Sequence, residues 1–150
     1  MMDRRCHSKI WTMLLPKRPR VVRAVDTNVL VRFLTVDDPK QAKTARRVME
    51  AGDIFIGVTV ILETEWVLRA GYGFNPNVIA AGLRGIGGLP GVTIEEPAEV
   101  AQSLDWMVEG KDFADALHLT RSNHCNAFVT FDKKLAARAK GKAGFIVETI

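Results

Sequence analysis

Two hydrophobic rhythms alternate along the chain. Short β-branched or aromatic runs at residues 21–25, 54–56, 91–95, 127–130 and 144–147 read as strands. Between them lie longer stretches whose apolar positions recur every three to four residues. They predict helices at 28–35, 39–50, 59 to about 72, 75 to the glycines at 85–88, 97–109, 112–123 and 132–140. Local punctuation supports these boundaries. Asp38-Pro39 and Asn75-Pro76 carry a capping side chain followed by a first-turn proline, Thr59 reads as the cap of the helix that follows it, and Gly52-Asp53 and Gly71-Tyr72-Gly73 are breaks. Strands alternating with helices predict an α/β fold, with a central parallel sheet of about four to five strands flanked by helices. No internal repeat or interdomain linker interrupts the pattern.

Composition narrows the reading where charge is located. At 150 residues and 47% apolar content the chain has the size of one domain. The overall charge of +4 suggests a nucleic-acid binder, but residues 1–20 carry six basic groups against Asp3, a net +5. Residues 21–150 hold 15 basic and 16 acidic groups, a net −1, so the domain body has no excess of cations with which to attract a polyanion. The basic segment 1–20 has no helical period and only a six-residue apolar stretch, too short for a signal-peptide core or a membrane span. It reads as a basic arm touching nucleic acid or, the favoured expectation, as a disordered leader or a start assigned too early, with the domain occupying 21–150. Cys6 and Cys125 form no metal-ligand spacing, which fits a reducing cytoplasm.

The candidate chemistry lies in four carboxylates. Asp26 ends the first β-branched run, and Asp132 follows the run 127–131, so both are delivered to the carboxyl edge of a parallel sheet, where open α/β folds bind ligands. Glu63 falls at helical spacing on a stripe with Thr59, Trp66, Val67 and Ala70, a mostly apolar face on which a carboxylate needs a partner or a metal. Glu65 lies on another face, four residues before Arg69, and is expected to form an exposed pair. Asp115 follows Asp112 in the first turn of its helix, where capping and the helix dipole also favour acids. Asn28 and Thr130 stand beside Asp26 and Asp132 as supporting polar groups. Acids brought together at one edge repel unless a hard cation neutralises them, which points to metal-dependent phosphate chemistry.

In the segments Val25-Asp26-Thr27-Asn28-Val29-Leu30, Leu62-Glu63-Thr64-Glu65-Trp66-Val67-Leu68, Asp112-Phe113-Ala114-Asp115-Ala116-Leu117 and Val129-Thr130-Phe131-Asp132 the chain resembles PIN-domain proteins, and among them the VapC toxins of bacterial toxin–antitoxin pairs. The resemblance covers residues 22 to about 148. It implies a Rossmann-like, three-layer PIN fold and a magnesium- or manganese-dependent endoribonuclease. By position it makes Asp26, Glu63, Asp115 and Asp132 both catalytic and metal-binding, with Asp112 a possible extra member. It also implies RNA as substrate, a small cognate antitoxin, a homodimer and no membrane association.

Other side chains carry two readings at this point. His118, near Asp115 at helical spacing, is incidental or touches substrate. Lys133, Lys134 and Arg138 bind phosphates or solvate their helix. Trp106, opposite the apolar stripe of its helix, marks a partner surface or tucks under a loop. Two other functions compete with this reading. A haloacid-dehalogenase-type phosphatase needs an acid two residues beyond the first aspartate, where this chain has Asn28. A non-catalytic PIN-like binding module would leave the acids as caps and surface charges.

Overall fold

The computed structural model describes residues 21–150, so the expectations for residues 1–20, Cys6 included, lie outside the described residues. Among these described residues five strands are separated by one or two helices each, seven α-helices in all. They are β1 (Arg23–Ala24), α1 (Thr27–Thr35), α2 (Pro39–Glu50), β2 (Ile54–Ile56), α3 (Val58–Trp66), α4 (Pro76–Gly87), β3 (Val92–Ile94), α5 (Pro97–Val108), α6 (Phe113–Arg121), β4 (Ala127–Thr130), α7 (Lys133–Ala139) and β5 (Ile146–Thr149). Every strand pairing is parallel. The ladders form a three-stranded sheet in the order β1-β2-β3 and a two-stranded sheet of β4 and β5. In register, Arg23 faces Ile54, Ile54 faces Val92, and Ala127 faces Ile146. The last strand begins two residues later than the sequence pattern suggests, because the exposed Gly144 lies in the turn that precedes it.

Apolar residues divide into two clusters. The larger gathers Leu30, Ile54, Ile56, Ile61, Leu83 and Phe113 with their neighbours around the three-stranded sheet. The smaller joins Trp106, Ala116, Leu119, Leu135 and Ala139, with Phe128, Phe145 and Val147 against it, and holds α7 and the two-stranded sheet to α5 and α6. Trp106 is therefore not a partner surface: it is 6% exposed, inside this cluster, with the Lys111 ammonium 5.0 Å from its ring centre. Where β2 and β3 start, the backbones approach so closely that a Cβ on Gly91 would meet Gly52 Cα at 2.9 Å, and Gly91 also has φ +73°. Both facts require glycine. No helix among the described residues is long and apolar enough to cross a membrane.

Helix starts follow the expected chemistry with one exception. Asp26, Asp38, Asn75, Asp112 and Asp132 cap α1, α2, α4, α6 and α7 through their side chains. Thr59 does not cap α3. The helix starts directly after β2, with Gly57 at the cap position, and Glu95 reaches across from the end of β3 to accept from the Val58 N–H at 2.8 Å. A single wider turn, Val67–Gly71, continues α3; the Tyr72 N–H bonds the Val67 carbonyl at 3.3 Å, a five-residue step.

The inner face of α3 differs from the sequence expectation. Val58, Ile61, Glu65 and Leu68 point inward, whereas Thr59, Glu63, Trp66 and Ala70 are exposed. The helix is apolar almost all round, so the period alone could not say which stripe turns to the core. Glu65 is 1% exposed, and its pair with Arg69, Nε to Oε1 at 2.7 Å, is anchored inside rather than on the surface. The Arg69 side chain keeps 44% of its exposure. Removing one partner from such a pair has unequal consequences. Arg69→Leu strands a buried carboxylate and is expected to destabilise by about 3 kcal/mol. Glu65→Leu leaves an arginine that can reach water and is expected to cost clearly less, an order that chemical denaturation of the two variants measures.

Candidate acidic active site

Asp26 leaves β1 at its carboxyl end and caps α1, its Oδ1 accepting from the Val29 N–H at 3.0 Å. The buried Thr27 beside it donates its hydroxyl to Glu63 Oε2 at 2.5 Å, tying the exposed side of α3 to the start of α1. Asp26 and Asn28 also line a groove of about 410 Å³ between α1 and α2, together with Arg32, Lys40 and Thr44. Asn28 does not cap its helix, because Asp26 already does. Across the site, Asp112 Oδ1 accepts from the Asp115 N–H at 3.1 Å. Asp132 Oδ1 accepts from the Lys134 and Leu135 N–H groups at 2.7 and 3.0 Å, and its own N–H donates to Thr130 Oγ1 at 2.9 Å.

Asp115 is the acid under strain. Burial pushes its carboxyl above the ordinary range, and the charges of Asp112 and Asp132 push it further. His118 and Arg138 oppose the rise, so both side chains lie within electrostatic reach of the acids. Asp132 shifts the other way, held below the usual carboxylate range by the Leu135 and Lys134 backbone N–H groups. Lys133, Lys134 and Arg138 are exposed along α7 beside it.

As the side chains stand, the acids form two neighbouring groups rather than one cage. Among the described residues no three His, Cys, Asp or Glu side chains are close enough to hold an ion together. One group is Asp26 with Glu63, linked through Thr27, and the other is Asp112, Asp115 and Asp132, linked by mutual repulsion. A groove of about 340 Å³ is lined by Glu63, Trp66 and Arg69 and by Ala114, the chain neighbour of Asp115. The donor chemistry fits a hard divalent cation. Asp26, Glu63 and Asp132 each engage one carboxylate oxygen and leave the other without a hydrogen bond among the described residues, and the Asp115 carboxylate accepts none.

Three contributors escaped the sequence reading. Thr27 is a hydroxyl directly after Asp26, and Arg69 was taken for a surface partner of Glu65. Glu95 follows a β-branched run as Asp26 and Asp132 do, so the same strand-then-acid rule would have flagged it. Beyond the geometry, the family model described as PIN domain matches residues 23–141 of the chain. Comparison with curated proteins and with solved structures gives no match.

Asp115 binds its proton more tightly folded than unfolded, so its contribution lowers stability as pH rises from the ordinary carboxylate range through the raised value. Asp115→Asn is therefore expected to raise the metal-free melting temperature at about pH 7 and to change it little at about pH 3, where both forms are neutral. Thermal melts at the two pH values check the sign.

Proposed function

Because the chain belongs to the PIN domain family, whose members are generally metal-dependent nucleases, we propose that it is an endoribonuclease acting as the toxin of a type II toxin–antitoxin pair. The observation that carries this reading is the gathering of Asp112, Asp115 and Asp132 within electrostatic reach of one another, with Ala114 beside Asp115 sharing a groove with Glu63. Carboxylates left in mutual repulsion at the ligand-binding edge of a parallel sheet serve cation binding better than they serve stability. The order of the four motifs, which resembles that of VapC toxins, supports RNA as the polymer and growth arrest as the outcome.

Asp26, Glu63, Asp115 and Asp132 are assigned to hold the metal, magnesium or manganese, through their unengaged oxygens. When bound, such an ion supplies Lewis acidity to a scissile phosphate and lowers the pKa of an attacking water. The protein does the positioning. Val29, Lys134 and Leu135 fix the Asp26 and Asp132 carboxylates from below through backbone N–H groups, and Thr27 fixes Glu63. Asp115 is the one acid of the four without such a tether, and burial with the charges of Asp112 and Asp132 raises its proton affinity above that of an ordinary carboxylate. Lys40 and Arg32 line the groove that leads away from Asp26 and offer charge to the flanking phosphates of the chain being cut. Asp112 and Thr130 support the acids by accepting from the backbone N–H groups of Asp115 and Asp132, and Asn28 lines the groove beside Asp26. The reading also implies a cytoplasmic homodimer held in check by a small antitoxin.

Asp26→Asn is the informative variant, because asparagine caps a helix about as well as aspartate and the fold is retained. RNA cleavage by the purified protein with Mg²⁺ is expected to fall at least about 100-fold, the scale on which a single group acting on transition-state charge is lost. Induced expression of the natural chain in a bacterium is expected to stop growth and that of the variant to permit it. Equal growth with both would remove the toxin assignment, and cleavage that persists in excess EDTA would remove the metal.

A further inference from the structure

Trp66 is 58% exposed on a helix whose other large side chains are mostly turned to the core. It stands three residues after Glu63 and three before Arg69, so the three share one face of α3 and its continuation, and all three line the groove that ends at Ala114 beside Asp115. The indole therefore lines the same groove as the candidate ligand Glu63, whose far lining is the chain neighbour of Asp115. Arg69 is fixed there. Its Nε and Nη2 donate to the buried Glu65 at 2.7 and 3.5 Å, Nη1 has no partner among the described residues, and the charge of Asp112 reaches it.

We propose that Trp66 and Arg69 form a subsite for one unpaired nucleotide of the substrate, the indole stacking on its base and the Arg69 Nη1 donating to the adjoining phosphate. The choice of polymer rests on the RNA-cleaving reading above. The chemistry of the subsite rests on this groove. An aromatic face with an oriented guanidinium beside it is the arrangement by which proteins hold single strands without reading sequence. A stacked base must be unpaired, so the subsite selects single-stranded over duplex RNA. The body of the domain is weakly acidic, so a cation held in place by a buried carboxylate is worth more here than a mobile surface lysine. Glu65 is thus a positioning residue for Arg69, which explains a buried acid that takes no part in the acid cluster.

The test uses the full chain in the Asp26→Asn background with Mg²⁺, so that the RNA stays intact, and an oligouridylate of about eight nucleotides as probe, within the usual span of single-strand sites. Binding is read by tryptophan fluorescence and by anisotropy of labelled RNA, with Trp66→Leu and Trp66→Phe compared after thermal melts confirm folding. The expected result is quenching by the single strand and not by a blunt duplex. Trp66→Leu should weaken binding roughly 10-fold or more, the scale of one stacked base, while Trp66→Phe keeps most of the affinity. Wild-type affinity in Trp66→Leu would overturn the subsite, as would equal binding of duplex and single strand. A loss of affinity that follows dissociation of a dimer in sedimentation would also overturn it and assign Trp66 to a protein interface. Failure of the subsite and failure of the nuclease reading are separable. If the natural chain cuts no RNA yet Trp66→Leu lowers binding, the subsite stands alone; if it cuts RNA and Trp66 variants bind and cut as it does, only the nuclease remains.

Discussion

The positive ends of helices, brought to the carboxyl edge of parallel strands, are what allow this chain to keep so many acids together. Asp26, Asp112 and Asp132 each satisfy backbone N–H groups that a helix start leaves without partners, and Glu95 does the same for α3 from a neighbouring strand. The macrodipole and these bonds offset the repulsion that the carboxylates exert on one another. Asp115, in the first turn of α6 with a carboxylate that accepts no hydrogen bond among the described residues, shows burial and the remaining repulsion in its raised proton affinity. Capping and catalysis are not rival explanations of an acid at such a place. A cap uses one oxygen and leaves the second for a ligand.

Most of the architecture was legible because local signals and the hydrophobic period agreed. Strands 54–56 and 127–130 coincide with β2 and β4, and the capping residues Asp38, Asn75, Asp112 and Asp132 are where the sequence puts them. The positions of Asp26 and Asp132 after β1 and β4 were legible for a related reason: strand-then-acid is a local pattern with a tertiary meaning in parallel folds. What failed was the rotation of α3. Val60, Ile61, Leu62, Trp66, Val67 and Leu68 surround that helix with apolar groups, so the choice of inward stripe depends on contacts with α1 and α6 that no local period contains. The surroundings of Glu63 and Glu65 are the reverse of those expected as a result. Glu63 faces the groove because it is exposed, and Glu65 is the buried acid that needed a partner and has one.

That exchange brings the candidate site closer to its chemistry. A carboxylate packed among apolar side chains would be slow to accept a ligand, whereas one on an open wall, steadied by a buried threonine, is ready for it. The wider turn after Trp66 belongs to the same economy of placement. It sets Tyr72 against Asp37, which also holds Arg32, so the end of the α3 continuation is fastened to the end of α1. Both ends of the α1–α3 contact are thereby pinned by polar side chains, Thr27 to Glu63 at one and Asp37 to Tyr72 at the other.

The division of the interior into two apolar clusters gives the molecule a seam. Asp26 and Glu63 belong to elements packed on the larger cluster, while Asp132 is carried by β4 and α7 on the smaller, and α6 with Asp115 touches both. Any breathing between the two clusters would alter the spacing of the acids without unfolding either half, so the charge density around Asp115 is coupled to the seam's rigidity. Side chains of the smaller cluster, such as Ala139 and Leu135, whose backbone N–H holds Asp132, thereby become tuning elements for the acidic edge.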